Sequence, residues 1–472
     1  MREVQVEAIP LARLEALLAP ERVERLRRHV VRAQRLLDGR VVWNVNATAQ
    51  GGGVAEMLEA LLAYARGAKV DARWLTLSGN PEFFTITKRL HNVLHGSPGD
   101  GGELGDRQRE RYEAVLAANL ESLRALVRPG DIVLLHDPQT AGLVEGVRKL
   151  GAHTIWRCHI GRDTPNPTSR MGWEFLRGFI EPADAFIFSR REYRPEWVPR
   201  DRTWCIPPSL DPFTAKNAPL PPADVAVTLR LAGLVQAHSP DGSQRFTRRD
   251  GSPGVVRPHS GLLRDGGTIP GNAQLVLQVS RWDRLKDMRG VLIGFAEGLD
   301  RLPPGAHLLL AGPEVDGVTD DPEGAAVLAE CMSAWRNLPA RARERVHLGC
   351  LPMDDIDENA HLVNALQRHA AVVVQKSLVE GFGLTVTEPM WKGRPVVATA
   401  IGGIQDQIDD GVSGVLLPDP YDYGRFGEQV CKLLYDEEWS ARLGAAAHTR
   451  VQDRFLGDRH LIQYVELFES LL

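Results

Sequence analysis

In the stretch "LVEGFGLTVTEP" (378–389), two carboxylates, Glu380 and Glu388, stand eight positions apart, with Gly381, Phe382 and Gly383 directly behind the first. Paired carboxylates can cut a glycosidic bond as acid and base or nucleophile, which needs them about 5–5.5 Å or about 6.5–9.5 Å apart. They can equally grip the hydroxyls of a ligand. The glycines leave backbone amides open, and the start of a helix after them favours an anion. Helical propensity resumes near Leu384 to Thr387, which places Glu388 in the first helical turn beside Pro389, where a proline is tolerated. A carboxylate there could also do no more than complement the helix dipole.

Two further stretches carry charge or open backbone. "QVSRWDRLKDMRG" (278–290) places Arg281 and Lys286 after an apolar run ending at Ser280, offering a planar fork and a point charge where a diphosphate could lie. Two solvated basic residues would read the same way. "WNVNATAQGGGVAEML" (43–58) puts Gly51, Gly52 and Gly53 between an apolar run and a helical pattern. Such a loop can approach a phosphate, or can be a tight turn and nothing else. The Asp355-Ile-Asp357 spacing resembles a metal-binding Asp-x-Asp pair, but it precedes a helical pattern, and N-terminal capping explains it better.

The elements that must position these residues alternate. Short apolar strands and helical stretches follow one another at 40–47, 70–78, 131–136, 153–160 and 185–189, and again at 273–280, 307–312, 345–350, 370–375, 394–399 and 413–418. That alternation makes parallel sheets covered by helices, here two doubly wound α/β sheets, with ligands expected at the carboxyl ends of the strands. The 472 residues exceed what one core usually serves. We divide them into an N-terminal domain (1–213), a C-terminal domain (214–446) and a C-terminal helix (447–472) returning to the first. A proline-rich break leads to the polar tract 237–272, whose composition reads as a flexible insertion or surface loop. The N-terminal stretch to residue 39 has amphipathic helical spacing.

Composition narrows the class. The chain is 43% hydrophobic and carries 56 basic against 61 acidic residues, a net charge of -5, which points to neither nucleic acid nor a membrane as the main partner. No apolar run reaches membrane-spanning length, so a cytoplasmic protein is expected. The five cysteines are scattered and read as reduced, buried thiols.

Taken together, "EGFGLTVTE", "SRWDRLKD", "WNVNATAQGGGVAEML", "HDPQ" (136–139), "WRCHIG" (156–161) and "DDPEG" (320–324) resemble the retaining glycosyltransferases of family 4, and within them the glycosyltransferring trehalose synthases. The resemblance implies the GT-B fold, two facing Rossmann-like domains with a cleft between them. It implies transfer of glucose from a nucleoside-diphosphate glucose to free glucose, giving α,α-trehalose, in a reaction that can run in reverse. It assigns Glu388 to the ribose hydroxyls and Glu380 to the donor sugar, helped by the backbone of Gly381, Phe382, Gly383 and Leu384. Arg281 and Lys286 would neutralise the diphosphate, Gly52 and Gly53 would touch it from the other domain, and His159 would lie beside the donor sugar. His136 and Asp137 are candidates for the acceptor pocket, where a turn or capping role explains them as well. The two glutamates thus grip rather than cut, no cofactor or metal is called for, and a homodimer is compatible with the family.

Two alternatives stay open at this point: a retaining trehalose phosphorylase, in which Glu388 has no ribose to hold, and a non-catalytic sugar- or nucleotide-binding module. A basic pair that stabilises a departing diphosphate is worth about 10²–10³ in rate per donor. Steady-state turnover of Arg281→Ala and of Lys286→Ala should therefore fall by about that factor, and unchanged turnover in both would exclude the diphosphate role.

Overall fold

The computed structural model describes residues 1–49, 53–236, 243–315 and 322–472. The chain forms two compact units: one comprises Met1–Leu210, Glu380–Phe382 and Arg454–Leu472, and the other Asp211–Val379 and Gly383–Asp453.

The first unit is built on strands β1 (Arg2–Val4), β2 (Val42–Asn46), β3 (Ala72–Thr76), β4 (Ile132–His136), β5 (His153–Cys158), β6 (Ala185–Phe188) and β7 (Thr203–Cys205). Their order is β1-β3-β2-β4-β5-β6-β7, parallel throughout except for β1, which runs antiparallel to β3. The central strands are apolar on both faces. Trp43, Val45, Val133, Leu135, Trp156, Cys158, Phe186 and Phe188 pack on one side. Val42, Ile132, Leu134, Ile155, Ala185 and Ile187 pack on the other. That second face is covered by Ala33 and Leu37 at the end of the helix Pro20–Leu36, and by Tyr464, Val465, Leu467 and Phe468 of the helix Gly457–Leu471. The two covering helices are joined by Arg22–Asp458 (2.7 Å) and Arg32–Glu469 (2.5 Å) ion pairs.

The chain leaves this unit at Leu210, whose N–H donates to Phe455 O (2.7 Å) beside the point where the chain returns. The N-terminal stretch is not one amphipathic helix. Arg2–Val4 forms an edge strand, and helices follow at Ala12–Glu15 and Pro20–Leu36. Pro10 and Pro20 interrupt the helical spacing, and Pro20 opens its helix at a first-turn position where its missing N–H costs nothing.

The second unit holds a hairpin of β8 (Arg245–Thr247) and β9 (Pro253–Val255). Its sheet comprises β10 (Gln274–Val279), β11 (Ala306–Pro313), β12 (Val346–Leu351), β13 (Val372–Gln375), β14 (Val396–Thr399) and β15 (Val415–Leu417). The order β12-β11-β10-β13-β14-β15 is wholly parallel. In each sheet the strand order reverses once, between β2 and β4 in the first and between β10 and β13 in the second. Ligands bind outside the carboxyl ends of strands at such reversals.

The polar tract is more ordered than its composition suggested. Residues 237–242 lie outside the described residues, but from 243 on the segment packs on the helix Ile356–His369. Phe246 is buried and stacks on His361 with ring centroids 5.0 Å apart. Arg248 pairs with Asp355 (2.5 Å), Arg249 with Asp357 (2.9 Å) and Arg257 with Asp354 (2.7 Å). Arg257 Nε also donates to Glu358 (2.6 Å), and His259 reaches the same carboxylate (3.0 Å). The acidic partners lie about a hundred positions downstream, so composition within the tract cannot reveal them. Asp355 caps the helix, accepting from the N–H groups of Asp357 and Glu358.

Glu358 is fully buried and holds the Arg257 guanidinium and the His259 ring of the tract. Hydrogen bonds to charged groups contribute about 1.5–3 kcal/mol each, so Glu358→Ala should destabilise the protein by about 2 kcal/mol or more in denaturant titrations. A change near zero would show that the tract is not anchored through this residue.

Candidate active site

In the second unit, the residues after β10 are held from below. Gln278 Nε2 donates to the Lys286 carbonyl (2.9 Å), Asp283 caps the short turn Arg284–Lys286 by accepting from Leu285 N–H (2.8 Å), and Arg281 Nη2 lies 3.4 Å from Asp283 Oδ2. Arg281 is exposed and Lys286 half-buried. The loop after the neighbouring strand β13 is tied to this turn, Leu378 N–H donating to Leu285 O (2.7 Å). The structure therefore brings the basic pair to the switch point between β10 and β13. Beneath it, Lys376 is buried against Asp287, donates to Pro420 O (2.6 Å), and lies 5.0 Å from the ring centroid of Tyr423.

Glu388 differs from its expected placement. The helix runs Leu384–Trp391 after Gly383, whose φ of 93° favours glycine, so Glu388 falls in the second turn and Pro389 lies inside the helix. It does not serve the helix dipole from the surface: Glu388 is 5% exposed. One carboxylate oxygen accepts from Gln367 Nε2 (3.1 Å), and the other lies 3.5 Å from Lys216 Nζ. Lys392 completes the cluster, donating to Gln367 Oε1 (2.7 Å), Asn217 Oδ1 (3.0 Å) and the Glu388 carbonyl (3.3 Å). Burial pushes its pKa down to about 7, opposed by the Glu388 carboxylate. Both oxygens of this buried carboxylate are thus oriented, one by an amide donor and the other toward an ammonium.

In the first unit, the middle of β2 and the ends of β4 and β5 bring together Asn44, His136, Asp137 and His159. His136 is buried, its Nδ1 3.2 Å from His159 Nε2 and its Nε2 3.1 Å from Asn44 Oδ1. Asp137 Oδ1 accepts from the His159 N–H (2.7 Å), and Asp137 adopts a left-handed conformation with φ 63°. Burial, and then the nearby Arg157, hold His136 and His159 well below the usual histidine range. Burial pushes Asp137 up to about 7, against the His159 N–H and Arg157.

The segment Glu380–Phe382 joins this unit. The Tyr193 hydroxyl lies 2.9 Å from Glu380 O and 2.7 Å from Gly381 O. A side chain at Gly381 would meet His159 O at 2.5 Å, so the close approach requires glycine. Phe382 packs edge-on against Phe455. Glu380, Gly381, Phe382 and His159 are thus neighbours, while Arg281, Lys286, Gly383, Leu384 and Glu388 belong to the second unit. Gly53 opens the helix Gly53–Gly67 and is exposed, whereas Gly52 lies outside the described residues.

The N-terminal part of the chain, residues 44–195, matches the family model "Trehalose synthase, N-terminal domain", and residues 356–450 match "Glycosyl transferases group 1". A trehalose synthase of Pyrococcus horikoshii is 34% identical over 92% of this chain and 91% of its own length. The chain belongs to the trehalose synthase family. It is a glycosyltransferase enzyme of trehalose chemistry. A more distant trehalose phosphorylase of Pleurotus pulmonarius is 26% identical, covering 86% of this chain and 54% of the phosphorylase. The solved α,α-trehalose-phosphate synthase (UDP-forming) of Burkholderia vietnamiensis superposes with a TM-score of 0.65 at 15% identity, over 91% of this chain and 98% of that one. The fold is therefore GT-B. No helix among the described residues is long and apolar enough to cross a membrane.

Asn44, Arg157, Tyr193, Lys216, Gln367, Lys376 and Lys392 went unread in the sequence. Asn44 and Arg157 did leave a signal, as polar residues inside the apolar runs "WNVNA" and "TIWRC".

A carboxyl whose pKa is raised on folding takes up a proton, so its contribution is greatest below the unfolded value and is lost as pH rises through the folded one. Asp137 should therefore make the protein less stable as pH rises from about 4 to about 7. Asp137→Asn keeps an acceptor for the His159 N–H and tolerates the left-handed backbone. The melting temperature of this variant, relative to the parent, should climb across that window, and a flat difference would refute the assignment.

Proposed function

We propose that the protein transfers glucose with retention of configuration from a nucleoside-diphosphate glucose to free glucose, forming α,α-trehalose, and that the reaction is reversible. The observation that carries this reading is the buried Glu388 carboxylate, with one oxygen on Gln367 and the other facing Lys216. Such a group suits the hydroxyls of a ribose, which a phosphorolytic enzyme does not bind at this point. The donor diphosphate is assigned to Arg281 and Lys286, with Gly52 and Gly53 as its glycine-loop contact, and the donor sugar to Glu380, His159 and the backbone from Gly381 to Leu384.

The leaving group already carries stabilised charge once the diphosphate is neutralised, so no protein acid is needed. The sugar–phosphate bond breaks, the acceptor oxygen bonds to the anomeric carbon from the same face, and the departing phosphate oxygen takes the acceptor's proton. Oriented charge of this kind acts without reorganising during the reaction.

The acceptor is read as an unphosphorylated sugar. Of the cations Arg162, Arg190 and Arg191, Arg190 pairs with Asp163 and Arg162 donates to Thr164 O (2.7 Å), while Arg191 is exposed.

The test is product analysis by NMR after incubation with glucose and, separately, UDP-, ADP- and GDP-glucose. An α,α-linked non-reducing disaccharide with release of nucleoside diphosphate is expected. Formation of glucose 1-phosphate from trehalose and inorganic phosphate, with no product from any nucleotide sugar, would replace this reading with the phosphorylase. A nucleoside diphosphate should also raise the melting temperature, and Glu388→Ala should abolish that shift.

A further inference from the structure

The histidines at the ends of β4 and β5 form a chain with a fixed direction. Asn44 Oδ1 can only accept, and it lies 3.1 Å from His136 Nε2, so the proton of neutral His136 is on Nε2. His136 Nδ1 is then an acceptor, and the His159 Nε2 that stands 3.2 Å away must donate to it. The two rings lie nearly parallel, 11° apart, so the contact is set by their packing. Neutral His159 consequently keeps its lone pair on Nδ1. Among the described residues that nitrogen has no hydrogen-bond partner, and the side chain is half-buried.

The pair is kept from charging by what lies behind it. Arg157 is completely buried in β5, and its hydrogen-bond partners among the described residues are all neutral. Its guanidinium donates to the Tyr464 hydroxyl, His460 Nε2 (2.9 Å) and Ile206 O (3.1 Å). His460 Nδ1 is in turn 2.9 Å from Ser209 Oγ. The other ionisable groups packed around the histidines are Asp137, which is engaged with the His159 backbone, Glu380 and Tyr193 beside Gly381, and His95, whose Nδ1 is 3.1 Å from Gly161 O. A second proton on either ring would place a buried cation beside the Arg157 cation.

We propose that Asn44, His136 and Arg157 are positioning residues that fix His159 as a neutral imidazole with Nδ1 unprotonated, making it an acceptor for a sugar hydroxyl rather than a base or a cation. This rests on the glycosyl-transfer reading for the identity of the ligand, but the proton positions stand apart from it.

The test is nitrogen NMR of the full chain labelled at histidine, with the His159 signals assigned by their loss in His159→Gln. The parent should show a pyridine-like Nδ1 and a pyrrole-like Nε2 at neutral pH. A protonated Nδ1, or an imidazolium, would overturn the proposal. Asn44→Leu removes the terminal acceptor and should give averaged nitrogen shifts for His159, with kcat down about tenfold, the size of one neutral hydrogen bond. If that variant does not fold, Asn44→Asp keeps size and polarity. By supplying a carboxylate to His136 it should draw a second proton into the pair and give kcat/KM an acidic limb the parent lacks. Parent-like His159 shifts in both variants would also overturn it. If the parent has the stated tautomer but no transferase activity, the functional reading fails alone; the wrong tautomer in an active enzyme sinks this inference alone.

Discussion

A parallel strand that is apolar on both faces must be covered on both faces, and that constraint leaves only its ends for polar chemistry. β2, β4 and β5 alternate large side chains into two separate cores, and the polar residues that break the pattern include His136 and Arg157 at or near the carboxyl ends of β4 and β5, and Asn44 in the middle of β2. The same holds around β10 and β13, where Gln278, Gln375, Lys376 and Ser377 are buried polar groups tied to one another or to nearby backbone. Low local dielectric makes each of these bonds directional and each unmade bond costly. These buried polar groups are therefore held by networks that have little freedom to relax.

The two carboxylates that first suggest chemistry live in different surroundings. Glu388 is sunk among Gln367, Lys216 and Lys392. Glu380 belongs to a three-residue segment fastened by the Tyr193 hydroxyl and by close backbone approach to His159. Neither environment resembles the solvent-filled space in which one carboxylate activates water for the other.

Much of this was legible because parallel-sheet proteins write their strands as short apolar runs. The alternation marked strands at β2, β4, β5, β10, β11, β12 and β13, and the chemistry-bearing residues fell just past their ends. What stayed hidden depended on partners distant in sequence. Arg248 and Arg257 read as solvated charges until Asp355 and Glu358 stand opposite them. Lys392 reads as an ordinary surface lysine after a helix, yet Asn217 and Gln367 take its charge into the interior. The depth of Glu388 turned on the helix beginning at Leu384, and a helix boundary shifted by a few residues moves a side chain from rim to core.

The helix Gly457–Leu471 supplies Tyr464, Val465, Leu467 and Phe468 to the core of the first unit, together with the partners of Arg157. Ribosomes deliver a chain from its N-terminus, and domains commonly fold in that order. Here the layer that Gly457–Leu471 adds over Val42, Ile132, Leu134, Ile155 and Ile187 follows the whole second unit in the chain, so until it is made that face is covered only in part, by Ala33, Leu37 and Leu61. During that interval the remaining apolar surface of the face is exposed to aggregation.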